Sequence, residues 1–222
     1  MNALIISGGN IDISFAREYI NNYDYDYLVV ADKGLETTEA LGLNPDLIVG
    51  DFDSVDPALI HRYETDPKSV ESVLRFKAQK DYTDTQIAVE RAVKYGVSHV
   101  EVLGATGDRL DHVLGNIAVM KYALRWDATM SIVDANNRIT MIDKSLTISK
   151  KDQYGKYVSV IPYSGEAKGV TLTGFAYNVE DETFYDDTSL GVSNEIADET
   201  AHIEVKEGLL LIVESDRLKK MQ

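Results

Sequence analysis

Leu47-Ile48-Val49-Gly50-Asp51-Phe52-Asp53-Ser54 decides how this chain is read. A short apolar run stops at a glycine, and carboxylates follow at once. The same grammar recurs through the first 134 residues. Residues 3–6 run into Ser7-Gly8-Gly9-Asn10, residues 27–31 into Asp32-Lys33-Gly34, and residues 99–103 into Gly104-Ala105-Thr106-Gly107, with a further apolar run at 72–76. Near-continuous apolar strands separated by helical patterns specify a mainly parallel sheet flanked by helices, because such strands must be covered on both faces. In that architecture ligands bind outside the carboxyl ends of the strands, where Asp32 and Asp51 fall.

Helical phase supports the assignment. Over 83–95, Ile87, Ala88, Ala92 and Tyr95 share one arc, with Gln86, Glu90 and Lys94 opposite; Val89 and Val93 lie off it, which leaves room for a contact on a second side. Over 110–125, Leu110, Val113, Leu114, Ile117 and Leu124 form one stripe, and Asp111, Gly115, Ala118 and Tyr122 a smaller-sided neighbour. After about Asp134 helical periodicity ends. Short segments rich in Val, Ile, Thr and Tyr (139–142, 157–161, 169–172, 202–205 and 209–213) predict an all-β sandwich, with the seam at 135–137. The expected domains are therefore 1–134, α/β, and 135–222, β-sandwich. The acidic stretch 180–187 reads as a solvated loop.

Composition narrows function. The 222 residues carry 22 Lys+Arg against 37 Asp+Glu, a net charge of −15, which opposes nucleic acid and anionic membrane as partners. There is no cysteine, so thiolate metal sites, disulfides and a cysteine nucleophile are excluded. The start MNALIISGGN lacks the basic, long-apolar form of a signal peptide, and no apolar run approaches the ~20 residues of a membrane span, so a soluble cytoplasmic protein is expected.

Three segments carry candidate chemistry. Asp51 and Asp53, two apart, would face one spot if their loop is extended, and two such carboxylates call for a hard divalent ion such as Mg²⁺. The alternative is a turn that uses Asp and Ser for local backbone hydrogen bonds. Lys80-Asp81-Tyr82-Thr83-Asp84-Thr85-Gln86 enters a helix. A Thr83–Gln86 capping box explains two of its residues but not Lys80, Asp81 and Asp84 together. Gly104-Ala105-Thr106-Gly107-Asp108-Arg109 opens another helix, where free N–H groups and a guanidinium suit phosphate. No P-loop and no G-x-G-x-x-G is present, the scattered histidines fit no zinc ligand set, and no serine lies in a G-x-S-x-G elbow.

Together, residues 45–56 (PDLIVGDFDSVD), 80–90 (KDYTDTQIAVE), 104–116 (GATGDRLDHVLGN) and 191–195 (GVSNE) resemble the thiamine pyrophosphokinase family, in the family's order and across nearly the whole chain. The resemblance implies an ATP-binding α/β domain, a β-sandwich that helps to bind thiamine, and a homodimer with shared active sites. It implies transfer of the pyrophosphoryl group of ATP to the thiamine hydroxyl, giving thiamine diphosphate and AMP. By the same resemblance Asp51, Asp53 and Asp84 gather Mg²⁺, and Asp32 and Asp81 support them. Lys80, Thr83, Arg109 and the Gly104, Thr106 and Gly107 turn contact ATP. Asp111 faces the substrate as a candidate base, and Ser193 and Asn194 contact thiamine or the partner's nucleotide. Lys33 departs from the family's usual Asp-Gly-Gly. Two other readings remain at this stage: a γ-phosphate kinase of another small alcohol, which would release ADP, and a non-enzymatic nucleotide or metal sensor, which would release nothing.

Overall fold

The computed structural model describes residues 1–66, 70–77 and 81–216. The chain divides into two compact units, Met1–Ala135 and Asn136–Gln222. The first alternates strand and helix: β1 Asn2–Ile6, α1 Ile13–Ile20, β2 Tyr27–Ala31, α2 Gly34–Leu41, β3 Leu47–Gly50, α3 Pro57–Thr65, β4 Ser72–Arg75, α4 Asp84–Tyr95, β5 His99–Leu103, α5 Leu110–Arg125 and β6 Thr129–Val133. Its strands lie in the order β6-β5-β1-β2-β3-β4, and every pairing among them is parallel.

That order sets the faces. Right-handed crossovers from β1 through β4 run one way along the sheet, and those through β5 and β6 run back. Helices α1, α2 and α3 therefore cover one face, and α4 and α5 the other. The direction reverses between β1 and β5, so the helices that follow them go to opposite faces and leave a crevice at the carboxyl ends of the strands. The middle strands supply the core: Ile5, Ile6, Val29, Val30, Ile48, Val49, Val102 and Leu103 are all buried. Each such side chain contributes roughly 1.5–3 kcal/mol relative to exposure.

Helix α4 is covered on the second side that Val89 and Val93 point to and departs from expectation at Tyr95, while the phase of α5 differs. In α4 the buried positions are Thr85, Ala88, Val89, Ala92 and Val93, while Tyr95 is exposed and stacks on Tyr27. The helix packs against β1, β2, β3 and α5 together, so a wider arc is covered than one stripe provides. In α5 the buried face is Asn116, Ile117, Val119, Met120 and Ala123, and Leu110 and Leu114 of the expected core stripe are exposed.

The second unit is all β: β7 Asn137–Ile142, β8 Ser145–Ser149, β9 Tyr157–Pro162, β10 Glu166–Thr173, β11 Val179–Tyr185, β12 Asn194–Glu195, β13 Thr200–Glu204 and β14 Leu210–Ser215. Strands β12-β9-β14-β7 form one layer and β11-β10-β13-β8 the other. Val158, Val160, Leu210 and Ile212 from the first meet Leu172, Phe184, Ala201 and Ile203 from the second in one core, as a sandwich requires. The acidic stretch read as a loop is strand β11 instead. It lies at the edge of its layer and buries only Phe184, so its charges face water and block pairing with another chain.

Candidate active site

The crevice at the reversal point is a cavity of about 580 Å³. Four strand ends and the starts of two helices, α4 and α5, build its wall. Ser7, Gly8, Gly9 and Asn10 come from the end of β1, Asp32 from β2, Asp51 from β3, residues 104–109 from β5, and residues 81–85 from the start of α4. The structure thus brings together Asp32, Asp51, Asp81, Thr83, Asp84, Gly104, Thr106, Gly107 and Arg109 from the sequence expectation. Asp53, Asp111, Ser193 and Asn194 do not line this cavity. Lys80 lies outside the described residues.

The two glycine loops lock together. The Gly9 N–H donates to the Gly104 carbonyl at 3.0 Å, and the Ser7 N–H to the Leu103 carbonyl at 2.8 Å. A Cβ on Gly9 would stand 2.3 Å from the Gly104 oxygen, so only glycine permits this approach. Asn116, buried on α5, donates to the Ala105 carbonyl at 2.8 Å and holds the second loop from beneath. Ser7 and Thr85 share a buried hydroxyl–hydroxyl bond of 2.5 Å, which ties the end of β1 to the start of α4.

The carboxylate loops are less extended than the spacing suggests. Phe52 takes a φ of +63° and is buried, and the chain turns at Asp53, whose N–H donates to Asp51 Oδ1 at 3.1 Å. Of the two carboxylates, Asp51 is among the residues that line the cavity and Asp53 is not. Arg75 braces the turn: its Nη1 donates to the Asp51 carbonyl at 3.0 Å, and its guanidinium lies 4.8 Å from the Phe52 ring centre. Asp32 also has a left-handed φ, +46°. Its Oδ2 accepts from the Ser54 hydroxyl at 3.2 Å, while Oδ1 is buried with no hydrogen-bond partner. A buried carboxylate oxygen without a partner is costly, and Asp32 is one of the residues that line the cavity. Among the described residues no three acidic or histidine side chains form a ready-made metal cage. The donor set therefore suits an ion that brings its own water and phosphate ligands, as Mg²⁺ does.

At the α4 start Thr83 caps the helix, its hydroxyl accepting from the Gln86 N–H at 3.2 Å. The expected capping box is only half formed, since the Gln86 side chain reaches forward to Glu90 at 3.1 Å. At the α5 start Arg109 lines the cavity but pairs with Asp111 at 2.6 Å, both largely exposed. That guanidinium hydrogen bond holds the Asp111 carboxyl below its ordinary range.

In the second unit Ser193 has a left-handed φ of +62° and donates its N–H to the Ser159 hydroxyl at 3.0 Å. The buried Asn194 side chain is occupied by backbone. Its oxygen accepts from Tyr177 and Glu195, and its amide donates to the Tyr177 carbonyl at 2.7 Å. Asn194 thereby fixes the turn carrying Tyr177, which is 76 % exposed.

Sequence reasoning missed Ser7–Asn10 as site residues, and with them Thr85, His112 and Asn116. The signal was present in the first loop, a strand ending in Gly-Gly, but its importance depends on β1 lying beside β5.

Comparison with known proteins turns this geometry into a family. A family model described as thiamin pyrophosphokinase, catalytic domain, matches residues 17–133, over half of the chain, and one described as thiamin pyrophosphokinase, vitamin B1 binding domain, matches residues 144–210. The chain belongs to the thiamine pyrophosphokinase family. It is 30% identical over 184 residues to the thiamine pyrophosphokinase of Bacillus subtilis (strain 168), covering 83% of this chain and 85% of that protein. Its fold is similar to the crystal structure of thiamine pyrophosphokinase from Bacillus subtilis (TM-score 0.85, 27% identity, 98% and 100% of the two chains covered). It is also similar to that from Geobacillus thermodenitrificans (TM-score 0.83, 30% identity, 99% of each). These matches span both units of the thiamine pyrophosphokinase chain, and they lend no support to a γ-phosphate kinase or a sensor.

Proposed function

We propose that the cavity between β1 and β5 holds ATP with Mg²⁺, and that this thiamine pyrophosphokinase moves the pyrophosphoryl group to the thiamine hydroxyl, releasing AMP. The observation that carries the reading is the convergence of carboxylates from β2, β3 and α4 with two interlocked glycine loops in one 580 Å³ cavity. The fold's family membership supports the choice of substrates.

A hard divalent ion, when bound, neutralises the triphosphate inside a protein of net charge −15 and offsets charge developing on the leaving oxygen. Asp32, Asp51 and Asp84 would hold that ion, and Asp53 and Asp81 would add negative charge beside it. The N–H groups of 104–107 and the Thr83 hydroxyl would bind phosphate oxygens, with Lys80 and Arg109 supplying positive charge. In-line placement of the thiamine hydroxyl then accounts for much of the acceleration, since positioned reactants avoid an entropic cost of order 7–11 kcal/mol. Asp111 keeps Arg109 oriented and remains a candidate for the substrate face. Ser193 and the Tyr177 turn fixed by Asn194 would contact thiamine.

The same reading makes the protein a cytoplasmic homodimer in which each site draws on both subunits. Exposed Leu110 and Leu114 on α5, and Leu190 and Val192 beside Ser193, support a partner surface.

The test is product analysis with ATP, Mg²⁺ and thiamine. AMP and thiamine diphosphate in equal amounts are expected. Asp51→Asn should lower turnover at least a hundredfold without changing the far-UV spectrum. ADP as the nucleotide product, or normal Mg²⁺-dependent turnover in Asp51→Asn, would overturn the reading.

A further inference from the structure

A second cavity, of about 380 Å³, opens at the opposite ends of the same strands. It is lined by the first residues of β1, β5 and β6 and by the loop after α1, including Tyr23, Asp24, Tyr25, His99, Glu101 and Ser131. Strands of five residues at ~3.3 Å per residue separate it from the ATP cavity by roughly 15 Å. Nothing in the proposed chemistry uses it.

Its centre is Glu101. The side chain projects from mid-β5 on the face where Ser131 of β6 stands beside it in register. Each carboxylate oxygen accepts one tyrosine hydroxyl, Tyr19 at 3.0 Å on Oε1 and Tyr25 at 2.5 Å on Oε2. Burial and the neighbouring carboxylate push the Tyr25 hydroxyl far above its ordinary range, so it stays a neutral donor. Neither hydroxyl brings a positive charge to the Glu101 carboxylate. Among the described residues no lysine, arginine or histidine forms an ion pair with it. Histidine 99, the one basic side chain lining the cavity, shares its Nδ1 with the Ser98 hydroxyl.

Two of the lining residues are aromatic, Tyr23 and Tyr25, and they continue a row of rings that runs behind the cavity. Tyr19 and Tyr23 lie 4.8 Å apart between ring centres and Tyr23 and Tyr25 6.5 Å, with Phe15 continuing the row at 5.6 Å from Tyr19. Tyr23 is 45 % exposed, so ring surface faces the opening. A half-buried carboxylate without a cation, beside tyrosine rings, is complementary to a positive charge carried on an apolar body. The carboxylate supplies Coulomb attraction, and the rings supply cation–π attraction worth ~0.5–2 kcal/mol. The second carboxylate, Asp24, and the net charge of −15 draw in the same sign. A cavity of this size suits a small molecule.

We propose that this pole of the sheet is a binding site for a small organic cation, an ammonium or azolium compound, separate from the catalytic cavity. Glu101 is the counter-ion and Tyr23 and Tyr25 are the aromatic wall. Because β1 and β5 run from this site to the two glycine loops, occupancy here bears on the strands that carry those loops.

The experiment titrates the full chain with choline and follows backbone amide shifts by NMR, using uncharged 3,3-dimethylbutan-1-ol as the isosteric control. Choline should shift the amides of Tyr23, Glu101 and Ser131 saturably, and the alcohol should not. Glu101→Gln should weaken choline binding at least tenfold. Tyr23→Leu, at a position 45 % exposed, should weaken it several-fold and decides the matter if Glu101→Gln is unstable. A matching shift pattern with thiamine would support the site and make the substrate itself an occupant. No saturable shift at this pole, equal binding of the alcohol, or unchanged choline affinity in both variants would overturn the proposal.

Discussion

Gly104→Ala tests whether the site is built by backbone contact. Gly104 has a φ of +73°, and a Cβ there would stand 2.6 Å from the Ser7 carbonyl oxygen and 2.8 Å from Ile11 Cδ1. Two costs follow. The left-handed conformation costs a residue bearing a Cβ about 1–2 kcal/mol, and forcing a methyl group into packed surroundings costs about 1–3 kcal/mol. The sum, about 2–5 kcal/mol, is a large share of the 5–15 kcal/mol that ordinarily separates folded from unfolded chains. At about 2–4 °C per kcal/mol it lowers the melting temperature by roughly 4–20 °C. The control lies three residues on: a Cβ on Gly107 would meet nothing within 4 Å, so Gly107→Ala should melt within about 2 °C of the parent. Thermal unfolding followed by circular dichroism, with AMP release measured on the same samples below the transition, reads both effects. Surviving Gly104→Ala should also be impaired in turnover, because its carbonyl is the acceptor that holds Gly9. If the two alanine variants melt together, the loops are not held by the contact described.

Thr83→Ala should lose about 1 kcal/mol of stability with the helix cap, while Thr83→Ser keeps the cap; if serine restores stability but not turnover, the threonine methyl also matters to the substrate. Arg75→Ala should cut kcat/KM by roughly tenfold or more through a displaced Asp51 turn, with the melting temperature almost unchanged because its ion pair with Glu64 is exposed; wild-type kinetics would show that the turn holds itself. Glu214 accepts the Tyr154 N–H, and burial raises its carboxyl above the ordinary 4.5. The native state therefore binds its proton at higher pH than the unfolded chain does, so this group's contribution declines as pH rises through that interval and stays low above it. Glu214→Gln should gain stability relative to the parent as pH goes from about 4 to neutral in urea unfolding, and a relative loss over that range would contradict the sign.

The strands of the α/β unit were legible because each reads as an apolar run ended by a turn residue, a pattern set by burial on both faces. Strand β6 escaped that reading although Met130, Ile132 and Val133 are buried, since Ser131 interrupts the run. Strand β11 escaped for the opposite reason, as an edge strand needs only one buried side chain, Phe184, and spends the rest on charge. The phase of α5 and the place of Tyr95 in α4 were misread because a period of 3.6 locates an arc only when one neighbour covers it. Leu110 and Leu114 lie on the arc that the sheet leaves open. Apolarity records that a surface avoids water, and it does not say which partner does the covering.

The site was partly legible for a related reason. Asp32, Asp51, Thr83 and Asp84 stand where a strand ends or a helix begins, and those positions are visible from local pattern alone. Ser7, Gly9 and Thr85 acquire their meaning from one non-local fact, the placement of β1 beside β5, which no local pattern encodes. The cavity exists because two loops meet there through the Gly9–Gly104 hydrogen bond while the helices that follow them diverge to opposite faces. The carboxylates could have been placed on any of several strand ends. Their placement around that one gap is what favours the proposed site for a cation-carried phosphate chain over a set of loop caps.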